Sequence, residues 1–302
     1  MRLPSRPEYL WNPVQLIRRL QNKNISKPTL VKLAWGDSIW VHPNDYIGAY
    51  IRSRGIFDYH AAEMLARCIE PGDTCFDVGA NSGQMSCLMA RCAGSVGRVV
   101  SFEPHPEVHE DLVENVALWQ KPGYADISTE RIALSSENGT ASLSVKPDFW
   151  ENRGRSSLQN GNPSDLNVQV TTCKLDKFCE SIPKVGVMKV DVEGHELAVF
   201  HGAAAMLQSH AIRDIVFESN DAYPTDVTQY LEELGYQIFG IESSLFGIRL
   251  LEASGLNQNS KAHTTDLVAT SDSDRLKSRF AQQRWQCFKI KKYADQKILR
   301  NP

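Results

Sequence analysis

Four carboxylates, Asp77, Glu103, Asp191 and Glu218, sit at or beside the ends of short apolar runs: "TCFDV", "RVVSFE", "GVMKVD" and "DIVFE". A carboxylate taken out of water needs a partner to offset its desolvation, so four in such positions point to a shared polar site and not to packing. When ionised they only accept hydrogen bonds, which suits ligands that bring donors or positive charge. A glycine turn, Gly79-Ala80-Asn81-Ser82-Gly83, follows the first acid, and Glu193, His195 and Glu196 follow the third. His195 adds a group that is neutral, yet able to take a proton, near pH 7.

The glycine turn narrows the ligand. In a dinucleotide-binding unit the turn reads G-x-G-x-x-G and seats a pyrophosphate on a helix N-terminus. Here Asn81 stands at the second glycine, and Asp77, just before the turn, would repel a pyrophosphate. The same carboxylate would accept hydrogen bonds from an ammonium group and lie well beside a cationic cofactor. S-adenosylmethionine, with its amino group and sulfonium, meets both conditions. Glu103 ends the next apolar run, close to the roughly 20-residue spacing at which an acid takes ribose hydroxyls in nucleotide-binding βαβ units. The expected cofactor site is therefore Asp77, Gly79, Ala80, Asn81, Gly83, Glu103 and its neighbour Pro104. The glycines would let the backbone approach the methionine part, with Ala133 and Leu134 flanking the adenine.

These residues need a scaffold that brings strand ends together. From about residue 55 the sequence alternates helical and strand patterns: helix "YHAAEMLARCI", strand "TCFDV", helix "GQMSCLMARCA", strand "RVVSFE", helix "PEVHEDLVENVALW". The rhythm resumes with "GVMKVD", "HELAVFHGAAAMLQ", "DIVFES", "PTDVTQYLEELG" and "YQIFGI". Strands alternating with helices predict an α/β fold of the Rossmann-like type, a mostly parallel sheet with helices on both faces. Open sheets of this kind bind ligands beyond the C-terminal ends of their strands, where the four acids fall. Residues 1–54 read as a helical arm plus a hairpin, 55–270 as the main domain and 271–302 as a tail. A polar, Gly- and Asn-rich insertion spans 135–165.

Composition excludes little else. Hydrophobic residues make up 42% and charged residues 23% of the chain, an ordinary globular balance. The formal charge of -3 supplies no overall basic field for nucleic acid. No run reads as a secretory signal or a membrane span, so a cytoplasmic protein is expected. The seven cysteines form no CxxC pair, which predicts reduced and mostly buried thiols.

The blocks "FDVGANSGQMSCLMA", "GRVVSFEPHPEVHEDLVENV", "MKVDVEGHELAVFHGA" and "DIVFES" resemble the signature blocks of FkbM-type methyltransferases, a branch of the class I S-adenosylmethionine-dependent enzymes. The likeness runs from about residue 31 to residue 270 and takes in the lead-in "LAWGDSIWVHPNDYIGAYIRSRGIFD" together with "NRG" and "KLDKF". It implies a seven-strand sheet with the last strand antiparallel and methyl transfer, typically to oxygen. It also implies that Asp77, Gly79, Asn81 and Glu103 belong to the cofactor site.

A hydroxyl acceptor on a sugar or natural product needs a base, because an aliphatic alcohol is a poor nucleophile at neutral pH. His195 is the first candidate and Asp191 the second, with Asp191 or Glu218 available to orient the imidazole. Arg153, Glu193, Asp221 and Tyr223 are expected on the acceptor side. Asp58 and Tyr59 are placed over the cofactor from the N-terminal side. No metal is expected, since the spacing of Asp191, Glu193, His195 and Glu218 defines no octahedral cage. A small-molecule or glycan acceptor is expected, without membrane or nucleic acid, and a homo-oligomer stays open. The remaining readings are a non-catalytic nucleoside-binding regulatory or scaffold module, a nucleic-acid methyltransferase and an NAD-linked oxidoreductase.

Overall fold

The computed structural model describes residues 7, 25–43, 45–149, 156–158, 165–219, 221–256, 266–282 and 284–289. Arg153 lies outside these residues, as do most of the N-terminal arm and the end of the tail.

The lead-in forms an antiparallel hairpin, β1 (Thr29–Lys32) and β2 (Ser38–Val41), as its two apolar runs around "GDS" predict. Two helices follow, α1 (Tyr46–Arg54) and α2 (Tyr59–Cys68). The parallel core is then laid down as β3 (Thr74–Val78), α3 (Gln84–Ala93), β4 (Arg98–Phe102), α4 (Pro106–Ala117) and β5 (Asp126–Glu130). The insertion and its flanks build β6 (Ala133–Leu134), β7 (Gly139–Val145), β8 (Ser156–Ser157) and β9 (Leu166–Cys173). The chain returns to the core with β10 (Val185–Val190), α5 (Glu196–Gly202), β11 (Ile212–Glu218) and α6 (Asp226–Glu233). It ends with β12 (Gln237–Ser244), β13 (Gly247–Glu252), β14 (Asp266–Thr270) and α7 (Ser273–Phe280).

The main sheet has the order β13-β12-β14-β11-β10-β3-β4-β5. Strands β11, β10, β3, β4 and β5 run parallel, while β14 is antiparallel to both of its neighbours. The family resemblance implies seven strands with the last one antiparallel; the described sheet has eight, and β14, last in sequence, is antiparallel to its neighbours. The extra one is β13, which pairs antiparallel with β12 as an edge hairpin. Its short run "GIRLLE" alternates too weakly, behind "SSLF", to be read as a strand of its own. The insertion is also more than a loop, because β7 pairs along its whole length with β9 in a four-stranded sheet.

Strand periodicity divides the core in two. Cys75, Val99, Val187 and Val216 point to the face covered by α2 and α3, and Phe76, Val100, Met188 and Phe217 to the face covered by α5. All six residues of β10 are buried, as expected for a central parallel strand covered on both sides. The tail is docked: Glu63 and Arg67, both fully buried on α2, bond to each other and to its backbone. Arg67 donates to the carbonyls of Arg279, Gln282 and Arg284, and Glu63 accepts from Gln286 and Cys287 N–H. All seven cysteines are free, five of them buried. No helix among the described residues is long and apolar enough to cross a membrane.

Candidate active site

Strand order reverses at β3, which has β4 on one side and β10 on the other. The crevice beyond its C-terminal end is where such sheets take ligands. A cavity of about 220 Å³ opens there, lined by Gly79, Ala80, Asn81 and Ser82 from the turn after β3. Glu103 and Pro104 line it from the end of β4, and Ala133 and Leu134 from β6. From the other side come Asp191, Glu193 and His195, after β10. Most of the expected residues are thus brought together.

The turn is tight for a reason the sequence did not show. Gly79 has φ +74, and a Cβ there would lie 2.0 Å from the Asp191 carbonyl oxygen. The backbone that approaches this glycine is therefore the chain's own, beyond β10. The turn is pinned further: Gly79 and Ala80 N–H both donate to the Phe102 carbonyl, and Lys189 Nζ donates to the Gly79 carbonyl at 3.0 Å.

Glu103 is held in the cavity wall by two backbone donors. Asn81 N–H donates to one carboxylate oxygen at 3.0 Å and His105 N–H to the other at 2.9 Å. Each oxygen keeps a lone pair for a ligand donor. Burial outweighs these bonds and pushes its pKa up to about 7.

Asp77 does not reach the cavity. It is fully buried beneath it, accepting from Ser86 Oγ at 2.6 Å and facing Lys189 Nζ at 3.5 Å. The ammonium that the sequence reading assigned to a cofactor is supplied here by the protein. Lys189 was missed because it sits inside the apolar run "GVMKVD", where alternation hides a charge. Its Nζ also lies 3.3 Å from Asp191 Oδ2. Burial would lower the Lys189 pKa, but Asp191 and Asp77 outweigh it and raise it. Gly83 also stays off the cavity, packing against Leu112 and Trp119.

His195 precedes α5 and makes no side-chain cap to it, so a capping role is not what holds the ring. Its Nε2 lies 3.0 Å from Ser135 Oγ, and burial lowers its pKa, favouring the neutral imidazole. The orienting partner is therefore Ser135, neither Asp191 nor Glu218. Glu196 is structural: its carboxylate accepts from Val192 and Gly194 N–H at 3.2 Å each and closes the turn after β10.

Glu218, Asp221 and Tyr223 do not line the cavity. Asp221 is exposed, and Tyr223 hydroxyl donates to Glu232 at 2.8 Å, drawn onto α6. Glu218 sits in an acidic neighbourhood; burial and then Asp191, Glu193, Asp58 and Glu196 push its pKa up to about 7. Asp58 does line the cavity, as does Phe57, whose backbone N–H and carbonyl are both held by the Gln84 side chain.

The cavity fits S-adenosylmethionine by its own chemistry. Apolar Ile132, Ala133 and Leu134 suit a flat base, Glu103 offers acceptors for two ribose hydroxyls, and across β3 the Asp58 and Asp191 carboxylates suit a cationic group. Replacing Glu103 with alanine should weaken cofactor binding by about 1.5–3 kcal/mol, read by calorimetry on the folded variant. Binding should also depend on pH. Burial raises the pKa of free Glu103, whereas donated ribose hydroxyls favour its ionised form, so below pH 7 a proton must leave before the cofactor binds. The dissociation constant should rise as the pH falls from 7 to 6, by up to about tenfold, and a flat profile in the wild type would contradict this placement.

Fold and cavity define a Rossmann-like α/β domain with a site for a nucleoside-bearing, positively charged cofactor. The chain belongs to the methyltransferase FkbM domain family, which matches residues 77–238. It is 33% identical over 173 residues to the hexuronic acid methyltransferase AglP of Haloferax volcanii, covering 56% of this chain and 66% of that one. It is 25% identical over 194 residues to the methyltransferase sdnD of Sordaria araneosa, covering 54% of this chain and 73% of that one. Among solved structures, the S-adenosylmethionine-bound fibrillarin of Aeropyrum pernix aligns at a TM-score of 0.39 and 13% identity, over 83% of this chain and 85% of its own.

Proposed function

We propose that the protein is an S-adenosylmethionine-dependent methyltransferase that methylates a hydroxyl oxygen of a sugar or polyhydroxylated natural product. One observation carries this reading: His195, a neutral imidazole at pH 7, lines the same cavity as Glu103 and the glycine turn. The cofactor supplies an electrophilic methyl. The chain's residues bind it at Glu103, orient the acceptor and hold the proton that leaves the acceptor oxygen, His195 being the base. Asp191, which lines the cavity and pairs with Lys189, would supply carboxylate charge for the cationic part of the cofactor.

The carbohydrate class is supported by the relative named for hexuronic acid. Within that class the wall formed by Asp58, Asp191 and Glu193 disfavours an anionic group beside the methyl and favours a neutral hydroxyl. The test is a screen of neutral sugars, glycosides and uronic acids with isotopically labelled methyl donor, followed by mass spectrometry. Label on an ether oxygen, stable to mild alkali, is expected. Label lost as an ester, or found on nitrogen or carbon, overturns the hydroxyl assignment.

A further inference from the structure

Asp58, His60 and Asp266 come together from distant parts of the sequence. Asp58 and His60 begin α2, and Asp266 begins β14, whose register pairs it with Glu218. One ligand-type atom from each of the three lies within 4.8 Å of the other two. The Asp58 carboxylate has two tasks: Oδ1 accepts from His60 and Ala61 N–H, and the side chain is hydrogen-bonded to Asp266. Two carboxyl groups so joined must share a proton or a cation.

The imidazole supplies the independent observation. Nε2 of His60 is sealed from solvent and has no hydrogen-bond partner, although buried polar atoms are almost always paired. The ring is held in place by Tyr59 at 4.1 Å and by Trp285, from the docked tail, at 6.3 Å between centroids. In a neutral imidazole one ring nitrogen carries no proton and offers a lone pair.

We propose that Asp58, His60 and Asp266 form a binding site for one divalent cation that accepts mixed oxygen and imidazole ligation, of the Mn²⁺ type. Two carboxylates with one imidazole suit such an ion better than Ca²⁺ or Mg²⁺, which take oxygen ligands almost exclusively. The sequence expectation of no metal considered Asp191, Glu193, His195 and Glu218. The cluster instead uses His60 and Asp266, which lie 206 positions apart by their numbers and share no spacing motif. Because Asp58 also lines the cofactor cavity, an ion here would offset the acidic wall next to the methyl-transfer position.

The test is titration of MnCl₂ into the chelator-treated protein, without methyl donor or acceptor, followed by electron paramagnetic resonance of free Mn²⁺. Its outcome therefore stands apart from that of the methyl-transfer assay. One saturable site per chain is expected, and Asp266→Asn and His60→Gln should each weaken it at least about tenfold. Asp221→Asn, an exposed acid outside the cluster, should leave it unchanged. Mn²⁺ should raise the melting temperature of the wild type and not of the two cluster variants. Circular dichroism verifies folding, and if Asp266→Asn is unfolded, His60→Gln decides alone. Absence of saturable binding, binding in folded variants equal to wild type, or equal weakening by Asp221→Asn overturns the site.

Discussion

Replacing His195 with alanine should lower turnover about 10²- to 10⁴-fold while leaving the affinity for S-adenosylmethionine nearly unchanged. The range is that of a lost general base. It applies because, on the proposed function, a hydroxyl acceptor must lose its proton as the methyl arrives, and the imidazole lines the cavity. The ring caps no helix end and its side-chain partner is Ser135 Oγ, so its removal should cost little stability beyond one hydrogen bond, about 1 kcal/mol. Parallel melting curves and donor titrations therefore separate chemistry from folding. Full turnover in a folded His195→Ala protein would remove the base and pass the role to Asp191.

The pH profile separates His195 from Glu103. Burial lowers the His195 pKa from the usual 6.5, so the imidazole remains neutral throughout the neutral range and loses function only below it. Glu103 titrates at about 7 in the free protein and affects binding. The acid limb of kcat should accordingly lie below that of kcat/KM. If His195 is the base, Ser135→Ala should disturb kcat more than donor binding, since the Ser135 hydroxyl holds the ring at Nε2.

What the sequence made legible was local. The βαβ rhythm, the glycine turn and the acid ending β4 are periodic or closely spaced features, and the residues around Gly79, Glu103 and Ala133 do line one cavity. Burial direction was harder to read. Asp77 and Glu103 look alike as strand-end acids, yet Asp77 lies inside β3 with its side chain turned beneath the cavity, whereas Glu103 falls one residue past β4. Pairings across long sequence separations were not legible at all. Lys189 meeting Asp77, Ser135 meeting His195 and Asp266 meeting Asp58 depend on strand order, which no window of sequence encodes. Tyr223 shows the converse: its place just after β11 suggested the acceptor side, but Glu232 on the next helix takes its hydroxyl.

The largest effect on folding should come from Gly79→Ala, which should destabilise the protein by about 4 kcal/mol or more, in the range reserved for severe backbone or core lesions. Two costs combine. The residue sits at φ +74, where an L side chain costs about 1–2 kcal/mol. The new methyl would also stand 2.0 Å from the Asp191 carbonyl oxygen, an atom of the backbone that cannot rotate away. Relief requires the turn after β3 to part from the end of β10, straining the Asp191 N–H to Val78 carbonyl bond at 3.1 Å and the Lys189 bond to the Gly79 carbonyl. Those contacts also set the distance between the Glu103 wall and the Asp191 and His195 wall, so cofactor binding should fall along with stability. Gly123→Ala is the control. It has φ +90 with nothing within 4 Å of an added Cβ, so it carries the conformational cost alone, about 1–2 kcal/mol. Urea denaturation of both variants gives the close-approach cost by difference. Equal losses at the two positions would show that the β3 turn can yield, and that the contact with Asp191 does not fix the crevice.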